Sequence, residues 1–172
     1  MEYGRLIVAL ATPFRPDLEV DYDKTAELAR RLAEEGATGF VSAGTTGESP
    51  TLSREERIEL VKTLKKAVSV PIIANVGTND TRASIRNAKD AEAAGADGLL
   101  LVVPYYNKPD QGMLYDHFKA IAESVKIPSM LYNVPGRTAA SVRPETVVKL
   151  SREVPNIRYV KEASGDLEAL TQ

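Results

Sequence analysis

Lys161 closes the alternating run Ile157-Arg158-Tyr159-Val160, and the chain then breaks through Glu162 into Ala163-Ser164-Gly165-Asp166. An amine at the end of a covered strand must give up water, which disfavours its ammonium form and lowers its pKa. A lysine that is neutral near pH 7 adds to carbonyls and forms Schiff bases. The same residue also has a plain structural reading, as a partner of Glu162 or as a stem that carries its charge back to solvent. Alternation weakens the pairing with Glu162, because neighbours along a strand point to opposite faces. The strand by itself leaves both readings open.

Other apolar runs also end in polar residues. "GTTGES" (44–49) follows "GFVSAG"; its amides and the hydroxyls of Thr45 and Thr46 suit a small carboxylate. It lacks the lysine of a phosphate-binding P-loop, and a simple glycine-rich turn is the competing reading. "PYYNKP" (104–109) brings Tyr105 and Tyr106, and "LYNVPGRT" (131–138) brings Tyr132 and Arg137. Singly, the paired tyrosines read as surface or interface aromatics, Tyr132 as a core residue with a satisfied hydroxyl, and Arg137 as a solvated charge. His117 lies beside the apolar stripe of its helix, and a structural role is expected for it.

The elements that must position these residues alternate along the chain. Strands are expected over 5–13, 39–44, 70–77, 96–104, 127–135 and 156–164, mostly as short, nearly continuous apolar runs. Such runs fit parallel strands covered on both faces. Between them, "SREERIELVKTLKKAV" sets Ile58, Val61, Leu64 and Val68 on one helical face, and Ser53 with Glu56 forms a capping-box pattern. "GMLYDHFKAIAESV" does the same with Leu114, Phe118, Ile121, Ala122 and Val125. The glycines of "EEG" and "AAG" stand at helix C-cap positions. Strands recur roughly every 30 residues, the spacing of a βα unit, without a matching sequence repeat. An open doubly wound sheet and the first six strands of a (β/α)8 barrel both fit this α/β pattern. In either, ligands gather at the carboxyl ends of the strands.

Composition narrows the function classes. The 172 residues are 43% hydrophobic and 27% charged, with a net charge of −2 and both signs interspersed. This is the balance of a globular chain, read as a single domain over 1–172, without the basic face of a nucleic-acid binder. No apolar run approaches the roughly 20 residues of a membrane helix, and no signal peptide is read at the N-terminus, so a cytoplasmic location is expected. With no cysteine and one histidine, thiolate chemistry, disulfides, a His-rich metal site and a Ser-His-Asp triad are not expected.

Together, "GTTGESPTLS", "PYYNKP", "LYNVPGRT" and "YVKEASGD", in this order and spacing, resemble the dihydrodipicolinate synthase family of pyruvate-dependent enzymes in the N-acetylneuraminate lyase superfamily. The resemblance runs from "GRLIVALATPF" to the last residues and implies a TIM-barrel fold. It implies that Lys161 forms an imine with pyruvate, and that Thr46 and nearby amides hold the pyruvate carboxylate. Tyr132 would transfer protons, with Thr45 linking it to a Tyr106 supplied by a neighbouring subunit. Arg137 would position Tyr132 and receive the carboxylate of the second substrate, L-aspartate 4-semialdehyde. No metal or organic cofactor is implied, because the cationic imine is itself the electron sink.

The implied pathway is diaminopimelate and lysine biosynthesis, and the implied assembly is a homo-oligomer, a dimer or tetramer. Neuraminate and keto-deoxy-sugar lyases share the lysine, the tyrosine and a similar loop; Arg137 and the double tyrosine favour the synthase. Lysine-inhibited members carry histidines and a glutamate where this chain has Arg54, Arg57 and Ala83, so weak or absent lysine feedback is expected. The family barrel is longer than this chain, which supplies its first six strands. Unpaired outer edges favour association with another chain. A non-catalytic, oligomerising partial barrel is the alternative reading.

Overall fold

Residues 3–168 and 171 are described by a computed structural model. The chain divides into two compact units, Met1–Asn75 with Asp90–Gly98, and Val76–Lys89 with Leu99–Gln172. Strands and helices alternate as the sequence predicts.

In the first unit, β1 (Ile7–Ala9), α1 (Tyr22–Glu34), β2 (Gly39–Ser42), α2 (Arg54–Ala67) and β3 (Ile72–Asn75) follow one another. β2 pairs in parallel with both neighbours, Val41 lying opposite Ala9 and Ile73. β2 and β3 are buried throughout, as continuous apolar strands require. Phe40, Leu64, Ile72 and Ala29 pack with Leu10 and Ala37 into one hydrophobic cluster.

β1 is shorter than the predicted 5–13. Thr12 gives its hydroxyl to the Gly47 carbonyl at 2.8 Å, and the Pro13 carbonyl accepts from the Asp21 amide at 2.9 Å, so both leave the ladder. The core face of α2 is also rotated from the expected stripe. Leu60, Val61 and Leu64 are buried, whereas Ile58 and Val68 are only partly so. Leu60 is drawn in by a second cluster with Val20, Ala43 and Leu52, and Val68 has already left the helix as its extended cap. The capping box forms: the Ser53 amide donates to Glu56 Oε2 at 2.6 Å and the Glu56 amide to Ser53 Oγ at 3.2 Å. Gly36 and Gly95 take φ of +107° and +91° just beyond the two predicted helix ends.

Across the second unit, β4 (Gly98–Val102), β5 (Ser129–Asn133) and β6 (Ile157–Glu162) pair in parallel. The helices are α3 (Thr81–Ala93), which belongs to this unit as far as Lys89, α4 (Gln111–Ala122), a one-turn α5 (Pro135–Thr138) and α6 (Pro144–Glu153). All five predicted core positions on α4 and its end, Leu114, Phe118, Ile121, Ala122 and Val125, are buried.

His117 is buried with them, as the structural reading expects. Its Nδ1 lies 2.8 Å from Thr81 Oγ1, and its Nε2 has no hydrogen-bond partner among the described residues. Desolvation lowers its pKa from 6.5 to about 4, against the smaller opposing pull of Asp80. The unfolded chain therefore holds more protons between those values, so stability rises with pH across that window and levels off above it. The full difference is about 3 kcal/mol. Urea unfolding from pH 4 to 7 should show this slope, and a folded His117→Asn variant should lose its share of it.

Candidate active site

β5 and β6 set the geometry of the lysine. Ser129 is paired with Ile157 but Met130 with Tyr159, so Arg158 is an extra residue that bulges β6. Without that bulge, strict alternation would put Lys161 on the same face as Ile157. With it, Tyr159 and Lys161 move to the face of Met130 and Tyr132. The row Val102, Tyr132, Lys161 then runs across the three strands.

Lys161 Nζ sits 4.3 Å from the centroid of the Tyr132 ring. Tyr132 is buried and Lys161 half-buried. Burial lowers the amine below the ordinary 10.5. The ring face pulls the other way, because it attracts the ammonium form by about 0.5–1 kcal/mol. The result is an amine held against a phenol at adjoining strand ends and biased toward its nucleophilic form.

One structural alternative, pairing of Lys161 with Glu162, is not what the structure shows. Glu162 turns to the opposite face, where its Oε2 accepts from Asn133 Nδ2 at 2.8 Å and its Oε1 from the Ser164 amide at 2.7 Å. Lys161 therefore has no carboxylate from Glu162 to keep it charged.

Thr45 and Thr46 lie exposed in the loop after β2, in the first unit. This loop is tightly built. Ala43 and Glu48 bracket it in the left-handed region, at φ 51° and 57°. The Gly47 and Ser49 amides both donate to the Gly44 carbonyl at 3.1 Å. At Ser49, the hydroxyl accepts from Asn75 Nδ2 at 2.9 Å and the carbonyl from Arg57 at 2.6 Å. Left-handed non-glycine residues cost of order 1 kcal/mol each and persist where the surroundings hold them.

Tyr106 stands 89% exposed with φ +72°, in a loop pinned by Asn107 and Asn79. Arg137 is exposed in the last turn of α5. The second unit thus brings Lys161 and Tyr132 into contact, while Tyr106 makes no side-chain hydrogen bond among the described residues. Sequence reading missed Ser49, Asn75 and Asn133, and weighed Glu162 only as a partner for Lys161. For Asn133 and Glu162 a signal was available, since each is the polar residue next to a singled-out position at a strand end.

A parallel α/β chain with its polar residues gathered at strand carboxyl ends is the class defined by these features. The family model described as "Dihydrodipicolinate synthetase family" matches residues 2–172, and the chain belongs to that family. It is 51% identical to the 4-hydroxy-tetrahydrodipicolinate synthase of Bacillus subtilis, over 100% of this chain and 60% of that protein. The dihydrodipicolinate synthase of Bacillus anthracis superposes with a TM-score of 0.97 at 46% identity, covering 99% of this chain and 59% of that one. The chloride-inhibited dihydrodipicolinate synthase of Acinetobacter baumannii, complexed with pyruvate, superposes with a TM-score of 0.94 at 45% identity, covering 98% and 58%. The chain therefore has the α/β fold of a partial (β/α)8 barrel with six of its strands. It spans about three fifths of the length of these relatives.

Proposed function

We propose that the chain is part of a Schiff-base lyase that condenses pyruvate with L-aspartate 4-semialdehyde to give 4-hydroxy-tetrahydrodipicolinate. The observation that carries this reading is Lys161 Nζ, half-buried, 4.3 Å over the ring of Tyr132. The free amine adds to the pyruvate ketone; loss of water leaves a cationic imine, which draws a proton off the methyl carbon. The resulting enamine carbon then bonds to the aldehyde carbon, whose oxygen takes up a proton. The aldehyde's α-amine adds to the re-formed imine carbon, closing the ring and releasing Lys161 as the free amine. Tyr132 is the phenol at hand to move these protons. Amides of the loop bearing Thr46 hold the pyruvate carboxylate, and Arg137 receives that of the aldehyde. Thr45 orients Tyr132, and the exposed Tyr106 completes the relay from a neighbouring subunit of a dimer or tetramer. Residues 1–172 form the N-terminal portion of one barrel domain in this reading.

The family relationship supports the reaction class, and Arg137 with Tyr106 favours the synthase over other pyruvate lyases. A coupled assay with aspartate semialdehyde, set beside sialic acid and keto-deoxygluconate cleavage, tests the substrate. Turnover of either sugar acid in preference to condensation would overturn it.

Feedback by lysine is expected to be weak. Arg54 is committed to Asp90 through two bonds of 2.5 and 2.7 Å, and Arg57 to the Ser49 carbonyl. Two cations repel the effector's ammonium, and Ala83 offers no carboxylate for it. A steady-state titration of an active preparation with lysine should leave the rate nearly unchanged, and strong inhibition would contradict the expectation.

No helix among the described residues is long and apolar enough to cross a membrane.

A further inference from the structure

One residue beyond the Tyr132–Lys161 pair, β5 and β6 are joined side chain to side chain. Asn133 Nδ2 donates to Glu162 Oε2 at 2.8 Å, and the Ala163 amide donates to the Asn133 carbonyl at 2.9 Å. On its far side, Asn133 Oδ1 accepts from Ser141 Oγ and from the Val142 amide, both at 3.2 Å. Glu162 Oε1 accepts from the Ser164 amide at 2.7 Å. We propose that Asn133 and Glu162 are positioning residues for the reaction, a clasp that holds Lys161 against Tyr132. The proposal rests on the imine reading above.

The donor and acceptor balance of the clasp is strict. The Val142 amide can only donate, which fixes Asn133 with its oxygen toward Val142 and its amide toward Glu162. The Ser164 amide can also only donate. Position 162 must therefore accept at both ends, and a carboxylate alone does so. Glutamine would satisfy one end and turn an N–H against a donor at the other. Burial raises the Glu162 pKa, but hydrogen bonds from Asn133, Ser164 and Ala163 outweigh it and hold the carboxyl below its usual 4.5. At neutral pH it is the charged acceptor that the clasp needs.

The clasp has a reason to exist in the bulge upstream. A bulge loosens the local ladder, and a slip of one residue turns every following side chain to the other face. Lys161 is four residues after Ile157, where the irregularity begins, and this side-chain pair ties the two strands together on the residue after it. Both clasp members face away from Lys161, so they act through the backbone of the strands rather than on substrate.

Polarity exchange tests the proposal. Glu162→Gln creates a donor–donor conflict and Asn133→Asp sets two carboxylates face to face, whereas the double variant restores every bond, with donor and acceptor reversed only between positions 133 and 162. Two readouts apply: the rate of borohydride trapping with pyruvate, and competitive acetylation of Lys161 across pH, which reports amine acidity with no substrate present. In the folded Glu162→Gln protein both rates at pH 7 should fall about tenfold, the effect of leaving one buried polar group unsatisfied. The double variant should return to within about threefold of the parent. Unchanged acetylation and trapping in the single variant, or a double variant no better than the single, would overturn the proposal. If the single variant does not fold, the double variant decides, and its failure to fold and react like the parent overturns it too. A parent that is never trapped but shows the acetylation pattern would remove the imine reading and leave the clasp standing.

Discussion

Tyr132→Phe is expected to lower the rate of condensation about 10²- to 10³-fold, the range lost when a positioned proton-transfer group is removed. The ring that packs under Lys161 Nζ at 4.3 Å is kept, so the amine stays where it is. The substitution removes a single hydroxyl and leaves the buried ring in place, so stability should shift by about 1 kcal/mol or less. The loss should therefore fall on kcat with little change in the melting curve. A variant with near-parental kcat would remove Tyr132 from the proton path.

The second large effect is expected at Gly47. A Cβ there would lie 2.8 Å from the Leu10 carbonyl oxygen and 3.0 Å from Thr12 Oγ1. The first of these is backbone and the second is already bonded to the Gly47 carbonyl, so neither can yield cheaply. Gly47→Ala should lower stability by about 1–3 kcal/mol, as overpacking does. It should also displace the adjoining Thr46 and raise KM for pyruvate more than it lowers kcat. Urea unfolding and steady-state kinetics on one preparation check both parts, and a neutral result in both would show that this loop does not hold the carboxylate.

Much of this arrangement is written locally. Continuous apolar runs announce β2 to β5, and their burial on both faces is what such runs demand. Ser53 with Glu56 and the two helix-ending glycines are short-range signals, legible because the bonds they make are short-range. Lys161 and Tyr132 could be singled out because a charged amine and a phenol at apolar strand ends conflict with their surroundings.

The rest depends on contacts far apart in sequence. The bulge at Arg158 leaves no mark in the residues around it, yet it decides which face Lys161 occupies. The Asn133–Glu162 bond joins residues 29 apart, so neither strand alone announces it. The shift of the α2 core face toward Leu60 likewise comes from Val20 and Leu52, which are outside the helix.

The central claim is that Lys161 is the imine-forming amine. Borohydride reduction of the protein in the presence of pyruvate, followed by peptide mass mapping, tests it most directly. A stable pyruvate adduct on Lys161, absent from a folded Lys161→Ala variant, is the predicted result. Folded parent protein that acquires no adduct, or acquires it on another lysine, would contradict the account.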